Sequence, residues 1–384
     1  MAKSKINEVN KNINAAADET VGKESENNTF LERLGIKEAI KLSPIPTDYK
    51  SEEILTIVYN IDESDLPYTA TLDVSNSFEM MVDAKSKQKL KKEVVFKTAG
   101  LHIIRVLGYF RRLSGSYPAD CFPGSELIKL PDKMERIYDD DEHPLDGAKK
   151  LLLGTNYCGD ISCFYNFDEI AVVPENPYLE MQDSCIIRKE TQELVYMPAK
   201  STEIPNGVKG IVNRALDMFS SAVLRIPGSV KEYAHITNQN IKEIIFEEGV
   251  VRARIFRSIF ERVSLQTVHI PSSLEILDFT VDMDSLVVPA SVRVACFCDS
   301  HIKHLEIQGD ITLQKKYSFE NFVGAIFLLG NIKPFEKFEA GKPEAQKFLG
   351  KMSDGCIIHV KDENVAQTLR ECADFNPNVK IIVE

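Results

Sequence analysis

Seven histidines, eight cysteines and one acidic run are the residues of this chain that could carry chemistry. The histidines are His102, His143, His235, His269, His301, His304 and His359. His301 and His304 lie close enough in sequence to suggest a metal pair. A strand, however, sends positions three apart to opposite faces, so they read as surface histidines. The run Asp139-Asp140-Asp141-Glu142 offers carboxylates for calcium. Calcium loops use alternate positions around a glycine turn, so a contiguous run reads as a solvated loop. Cys296-Phe297-Cys298 is too tight for a zinc knuckle, and no CxxC pair complements it. The cysteines, with Cys121, Cys158, Cys163, Cys185, Cys356 and Cys372, read as small buried hydrophobes. Arg252, Arg254, Arg257 and Arg262, which fall on the turn and the convex side of a repeat unit, form a basic cluster that suits either an acidic partner or a charge-balanced solvated face. A GxSxG elbow, a P-loop, a GxGxxG after a strand and HExxH are all missing. The expectation is a non-enzymatic protein with no catalytic residue, no metal and no cofactor.

The bulk properties narrow the partner. A chain of 384 residues has room for two or three domains, and 43% hydrophobic residues can bury a core. A net charge of −12 repels phosphate backbones, which argues against nucleic acid. No apolar run approaches the roughly 20 residues of a membrane span. The first 28 residues or so are polar and contain no apolar segment of the kind a secretory signal needs, so either the protein is not exported by the general route or a signal has been removed from this sequence.

Three regions follow from the pattern of residues. Residues 1–48 read as a polar arm that orders on a partner, followed by a short amphipathic helix built on Phe30, Leu31, Leu34, Ile36, Ile40 and Leu42. Residues 49–113 contain runs rich in Val, Ile, Thr, Tyr and Phe separated by turn formers, which predicts a small antiparallel β-sandwich. Residues 114–384 repeat one unit: a short apolar strand, then Pro or Gly, a small residue, and Val or Leu. The last apolar strand positions are Ile204, Ile226, Phe246, Ile270, Val288, Ile307 and Leu328, about 20 residues apart on average. One turn of this length cannot bury its own apolar face, so a stacked solenoid is required. The fold class is thus mainly β, an irregular leucine-rich-repeat solenoid after a small sandwich, with a cap over about residues 350–384.

Stacked strands would align their outward side chains in rows. Alternation turns Leu224 and Ile226 inward and Arg225 outward, and likewise Val268 and Ile270 inward and His269 outward. The first predicted row is Arg225, Ile245, His269, Val287, Glu306 and Phe327. The second is Val223, Glu243, Thr267, Ser285, His304 and Ala325. Aliphatic and aromatic groups interleaved with charges suit protein recognition. Neither row holds a carboxylate pair placed for general acid–base work on sugars. The alternative is that part of this face lies beneath the N-terminal domain or a neighbouring chain.

Several motifs resemble a known family. Asn176-Pro177-Tyr178, Tyr196-Met197-Pro198 and Ile204-Pro205-Asn206-Gly207-Val208 are similar to the entry unit of BspA-type leucine-rich repeats. Pro271-Ser272-Ser273-Leu274 and Pro289-Ala290-Ser291-Val292 resemble that family's Pro-x-Ser-Val step, with Ala295, Phe297 and Cys298 following. The segment from Cys356 to Glu384 resembles its closing strand, short helix and strand. Val94 to Gly108 is similar to the Thr-Ala-Gly strand of PKD-like modules. The resemblance implies an adhesion or scaffold protein whose sheet face binds a protein or glycan, and a location at the cell surface or outside the cell. The lack of an export signal and the polar arm point instead to a structural subunit of a large assembly, such as a virion or secretion apparatus. That arm could also join copies of the chain into a homo-oligomer.

Overall fold

The computed structural model describes residues 50, 53–72, 78–83, 85–108, 122–135, 147–159, 161, 164, 167–231, 234–236, 238–255, 263–313, 318–334, 349–372 and 374–384. The predicted arm and amphipathic helix, the acidic run, and Arg257 and Arg262 lie outside them. The fold is mainly β, a solenoid of about ten turns with antiparallel strands near its N-terminus. The chain divides into two compact units, residues 1–190 and 191–384.

The first unit starts with β1 (Ile54–Ile61), β2 (Tyr68–Thr71), β3 (Glu79–Val82), β4 (Gln88–Lys89), β5 (Glu93–Phe96) and β6 (Gly100–Leu107). It continues with β7 (Leu127–Lys129), β8 (Lys150–Leu153) and β9 (Glu169–Val172), then the hairpin of β10 (Leu179–Gln182) and β11 (Cys185–Arg188). One seven-stranded sheet runs β4-β3-β6-β1-β7-β8-β9. Its first joints are antiparallel, and β7-β8-β9 pair in parallel as solenoid rungs do. The predicted sandwich strands and the first rungs therefore share a sheet, through β1 on β7, across the expected boundary at 113/114. Val58, Ile103, Leu127, Leu152 and Ala171 form a single core cluster along it. β2 and β5 pair separately, and Tyr59 meets Tyr68 and Phe96 at ring distances of 5.8 and 6.0 Å.

In the second unit the chain alternates between two parallel ladders. One ladder contains β12 (Glu193–Tyr196), β13 (Gly210–Ile211), β15 (Ala234–Ile236), β17 (Arg252–Ile255) and β20 (Ile276–Phe279), and goes on through β22 (Val294–Cys296), β24 (Ile311–Leu313) and β26 (Ile332–Pro334). The opposite side contains β14 (Val223–Ile226), β16 (Glu243–Phe246), β18 (Val263–Ser264) and β19 (Thr267–His269). Beyond them come β21 (Val281–Val288), β23 (His301–Ile307), β25 (Val323–Leu328), β27 (Ile357–Val360) and β28 (Lys380–Val383). The Pro-x-x-apolar step that ends a rung is a β-turn. Val230 N donates to Pro227 O at 3.0 Å, Leu274 N to Pro271 O at 3.2 Å and Val292 N to Pro289 O at 3.1 Å. Proline fits because its missing N–H ends the ladder, and the fourth residue drops into the core, where Val230, Leu274 and Val292 are buried. Each buried aliphatic of this kind contributes about 1.5–3 kcal/mol.

One expected rung is not a strand. Ile204 is buried but sits in irregular chain. Pro198 and Pro205 bracket too few residues, and a turn from Pro198 O to Ser201 N, 3.0 Å, uses part of them. Ile270, expected inward with Val268, lies one residue past β19 without a register partner, and both are only half-buried. Of the remaining positions, Ile226 pairs with Phe246, and Val288, Ile307, Leu328 and Val360 follow one another across four strands. Between β27 and β28 lies α1 (Glu363–Arg370), whose N-terminus is capped by the Asp362 carboxylate accepting from Val365 N at 3.0 Å. Val365, Ala366 and Leu369 are its buried residues.

Candidate functional site

The outward rows exist, but as two blocks. Arg225, Ile245 and His269 are register partners across β14, β16 and β19, and Val223, Glu243 and Thr267 run beside them. Val287, Glu306 and Phe327 are partners across β21, β23 and β25, beside Ser285, His304 and Ala325. The expected single row is broken because β18 and β19 are two halves of one rung. Leu265 N donates forward to Asp282 O at 3.0 Å, whereas Gln266 N donates back to Lys242 O at 2.7 Å. The rung thus changes neighbour between consecutive residues, and β14-β16-β19 forms a sheet distinct from β18-β21-β23-β25-β27-β28.

The second block is longer than the sequence suggested. Phe327 pairs onward with His359, and His359 with Ile382; Ala325 pairs with Ile357, and Ile357 with Lys380. Phe327 is flanked by two imidazoles, His304 at 4.3 Å and His359 at 4.2 Å between ring centroids, the latter at 11° to its plane. His359 Nδ1 also meets Glu384 Oε1 at 2.9 Å. Val287, in the same row beyond Glu306, is 46% exposed, a large aliphatic with almost half its surface in water. In the first block His269 Nε2 meets Glu243 Oε1 at 3.1 Å, and Arg225 reaches Glu247 on the next rung at 3.6 Å. Both are surface pairs that contribute little to stability and keep the face polar between its apolar groups.

The reading of His301 and His304 on opposite faces is corrected by a bulge. Ile302, Leu305 and Ile307 are the buried residues of β23, so both histidines lie on the outward side with Lys303 as the extra residue between them. An added residue restores the face that a count of three would have reversed. The same bulge occurs at Asp284 in β21 and is absorbed at Gly324 in β25, where the register shifts. Where the bulges run, a cleft of about 560 Å³ opens, lined by Leu265, Asp282, Met283, His301, Lys303 and Val323 among others. His301 Nδ1 meets Asp282 Oδ1 at 3.4 Å, and Lys303 Nζ meets Asp284 Oδ1 at 2.6 Å. Among the described residues, no three His, Cys, Asp or Glu side chains converge as a metal site.

Arg252 and Arg254 are on β17, in the opposite ladder, and not on a turn; Arg254 Nε meets Asp278 Oδ2 at 3.1 Å. His359 was missed because residues 329–356 interrupt the 20-residue spacing that located its neighbours. The Asn-x-x-apolar recurrence was missed too. Asn176, Asn238 and Asn376 each precede a buried Leu, Ile or Val by three residues; the first two each bond two or more backbone carbonyls of the preceding turn, and Asn376 bonds Met352 O. Asp354, held below the usual carboxylate range by hydrogen bonds from Asn376 and Asn378, joins the last of these links. Burial pushes the Cys372 thiol up to about 12 and raises that of Cys356, in keeping with cysteines packed as hydrophobes.

These features define a β-solenoid with an open, chemically mixed face and no helix, among the described residues, long and apolar enough to cross a membrane. No protein-family model matches the sequence, and no curated protein matches it. Among solved structures the pneumococcal vaccine antigen PcpA is similar over 66% of this chain and 60% of its own, with 17% identity and a TM-score of 0.37. The chain therefore spans less than two-thirds of that protein's length.

Proposed function

We propose that this is a non-enzymatic binding protein of the adhesion or scaffold type, related to BspA-like repeat proteins, which recognises a protein partner through the outward face of β21, β23, β25 and β27. The observation that carries the reading is the His304–Phe327–His359 ring cluster on consecutive rungs, with exposed Val287 in the row of Phe327 and His359 beyond Glu306. Rigid rings beside an exposed aliphatic supply anchor area at low entropic cost, and the surrounding Glu306, Lys303 and Asp284 supply a polar rim. A protein partner is favoured over a glycan because the rings stack on one another. Phe327, the central ring, has an imidazole on each side, stacked on His359 and tilted against His304, so its flat faces are not open to a sugar.

The test starts from partners captured on the full chain and identified by mass spectrometry. Phe327→Ala and Val287→Glu together should weaken binding at least about 30-fold, the loss of roughly 2 kcal/mol for a central anchor. Arg252→Glu, exposed on the opposite ladder, should leave it unchanged. Equal affinity of all three proteins for the partner would defeat the assignment of this face.

A further inference from the structure

We infer that two copies of this chain associate edge to edge through β28, by an antiparallel pairing centred on Ile382. The inference stands apart from the binding role of the sheet face. Among the described residues, β28 is the outermost strand of its ladder. Lys380 N donates to Cys356 O at 3.1 Å and Glu384 N to Val360 O at 3.0 Å. Backbone groups alternate along a strand, so residues 380, 382 and 384 bond β27. Ile381 and Val383 then turn their N–H and C=O groups to the open side.

A strand edge is normally blunted by shortness, lysine, proline, a bulge or an inward charge, and β28 is short and begins with Lys380, which keeps the pairing weak. Lys380 to Val383 is regular strand, without proline or bulge. Its outward donors and acceptors match those of a second copy whenever the two-fold axis passes through a residue of the strand, and side-chain charge then decides which. With a two-fold axis at Ile382, Ile381 lies opposite Val383 of the second copy and exchanges both backbone bonds with it. The symmetry repeats this for four bonds in all. Lys380 then lies opposite Glu384 of the second copy, twice, and Ile382 opposite itself. Moving the axis to Ile381 would set each Lys380 against an isoleucine. The charge pattern therefore selects the Ile382 register. Glu384 keeps a carboxylate oxygen for the lysine while Oε1 holds His359. Val383, 42% exposed in the single chain, would be covered. The contact is small compared with the roughly 1,200 Å² of a stable complex, so the dimer should be weak and concentration dependent.

The full chain is followed by light scattering after size exclusion, over about 10 µM to 1 mM, the range suited to a contact this small. The mass should rise from one chain towards two. Val383→Pro removes an outward N–H without touching a bond to β27 and should hold the mass at one chain. So should Lys380→Glu, whereas Lys380→Glu with Glu384→Lys should restore the rise. Far-UV circular dichroism and the melting temperature confirm that each variant is folded. Ile382→Cys should form a disulfide-linked dimer on air oxidation, because unbonded antiparallel partners bring Cα atoms to about 4.5 Å. Lys380→Cys alone should not. A mass of one chain at every concentration, or a dimer indifferent to all these changes, overturns the proposal.

Discussion

Asn176 uses all the hydrogen-bonding capacity an amide side chain has. Its Nδ2 donates to Gly154 O at 2.9 Å and Tyr157 O at 2.8 Å, and its Oδ1 accepts from Tyr178 N at 2.8 Å and Leu179 N at 2.9 Å. The residue is fully buried, so none of these bonds can be replaced by bulk water. Asn176→Ala should cost about 3–5 kcal/mol, since several buried groups lose partners at about 1–3 kcal/mol each. Urea denaturation measures it, and a loss below about 1 kcal/mol would mean that the turn closes without the amide. The Asn-Pro-Tyr motif was visible in the sequence as a resemblance. Its physical role was not, because the carbonyls it serves belong to a turn some 20 residues earlier.

At the scale of elements, the bulge through β21 and β23 decides which side chains share a face. It ends at Gly324, with φ +143°, where an added Cβ would collide with Ile302 O. Gly324→Ala should destabilise the second unit by more than about 2 kcal/mol, since both the positive φ and the contact resist a side chain. Hydrogen exchange should show the loss concentrated in β23 and β25. Unchanged protection there would show that the backbone relaxes at no cost. Alternation within each strand was legible: Leu224 and Ile226 are inward and Arg225 outward, as their hydrophobicity dictates. The bulge was not, because His301 to Ile307 differs from a regular strand by one residue whose side chain prefers water either way.

For the whole molecule, a solenoid buries each rung with the next, and its last rung needs cover of its own. Beyond β25, β27, α1 and β28 extend the ladder and bury Ile358, Val360, Val365 and Leu369. Ending the chain at Gly350 would leave β25 outermost, with its backbone edge and Phe327 unpaired on one side. That protein should aggregate on warming well below the melting temperature of the full chain, as static light scattering would record. A truncated chain of equal solubility and stability would mean that the ladder does not depend on its final strands.

The amino-acid sequence by itself determined the solenoid. A short apolar strand closed by Pro-x-x-Val recurs about every 20 residues, and a unit that small can bury its oily side only by stacking. It also determined the register of the outward rows within each block, because alternation leaves a strand one way to face the core. Only the tertiary structure decided that the first rungs extend the N-terminal sheet through β7, that the face splits between β18 and β19, and that His359 completes the ring stack. Each depends on where a backbone N–H finds its acceptor in another turn. That choice is made by long-range pairing and leaves no periodic mark along the chain.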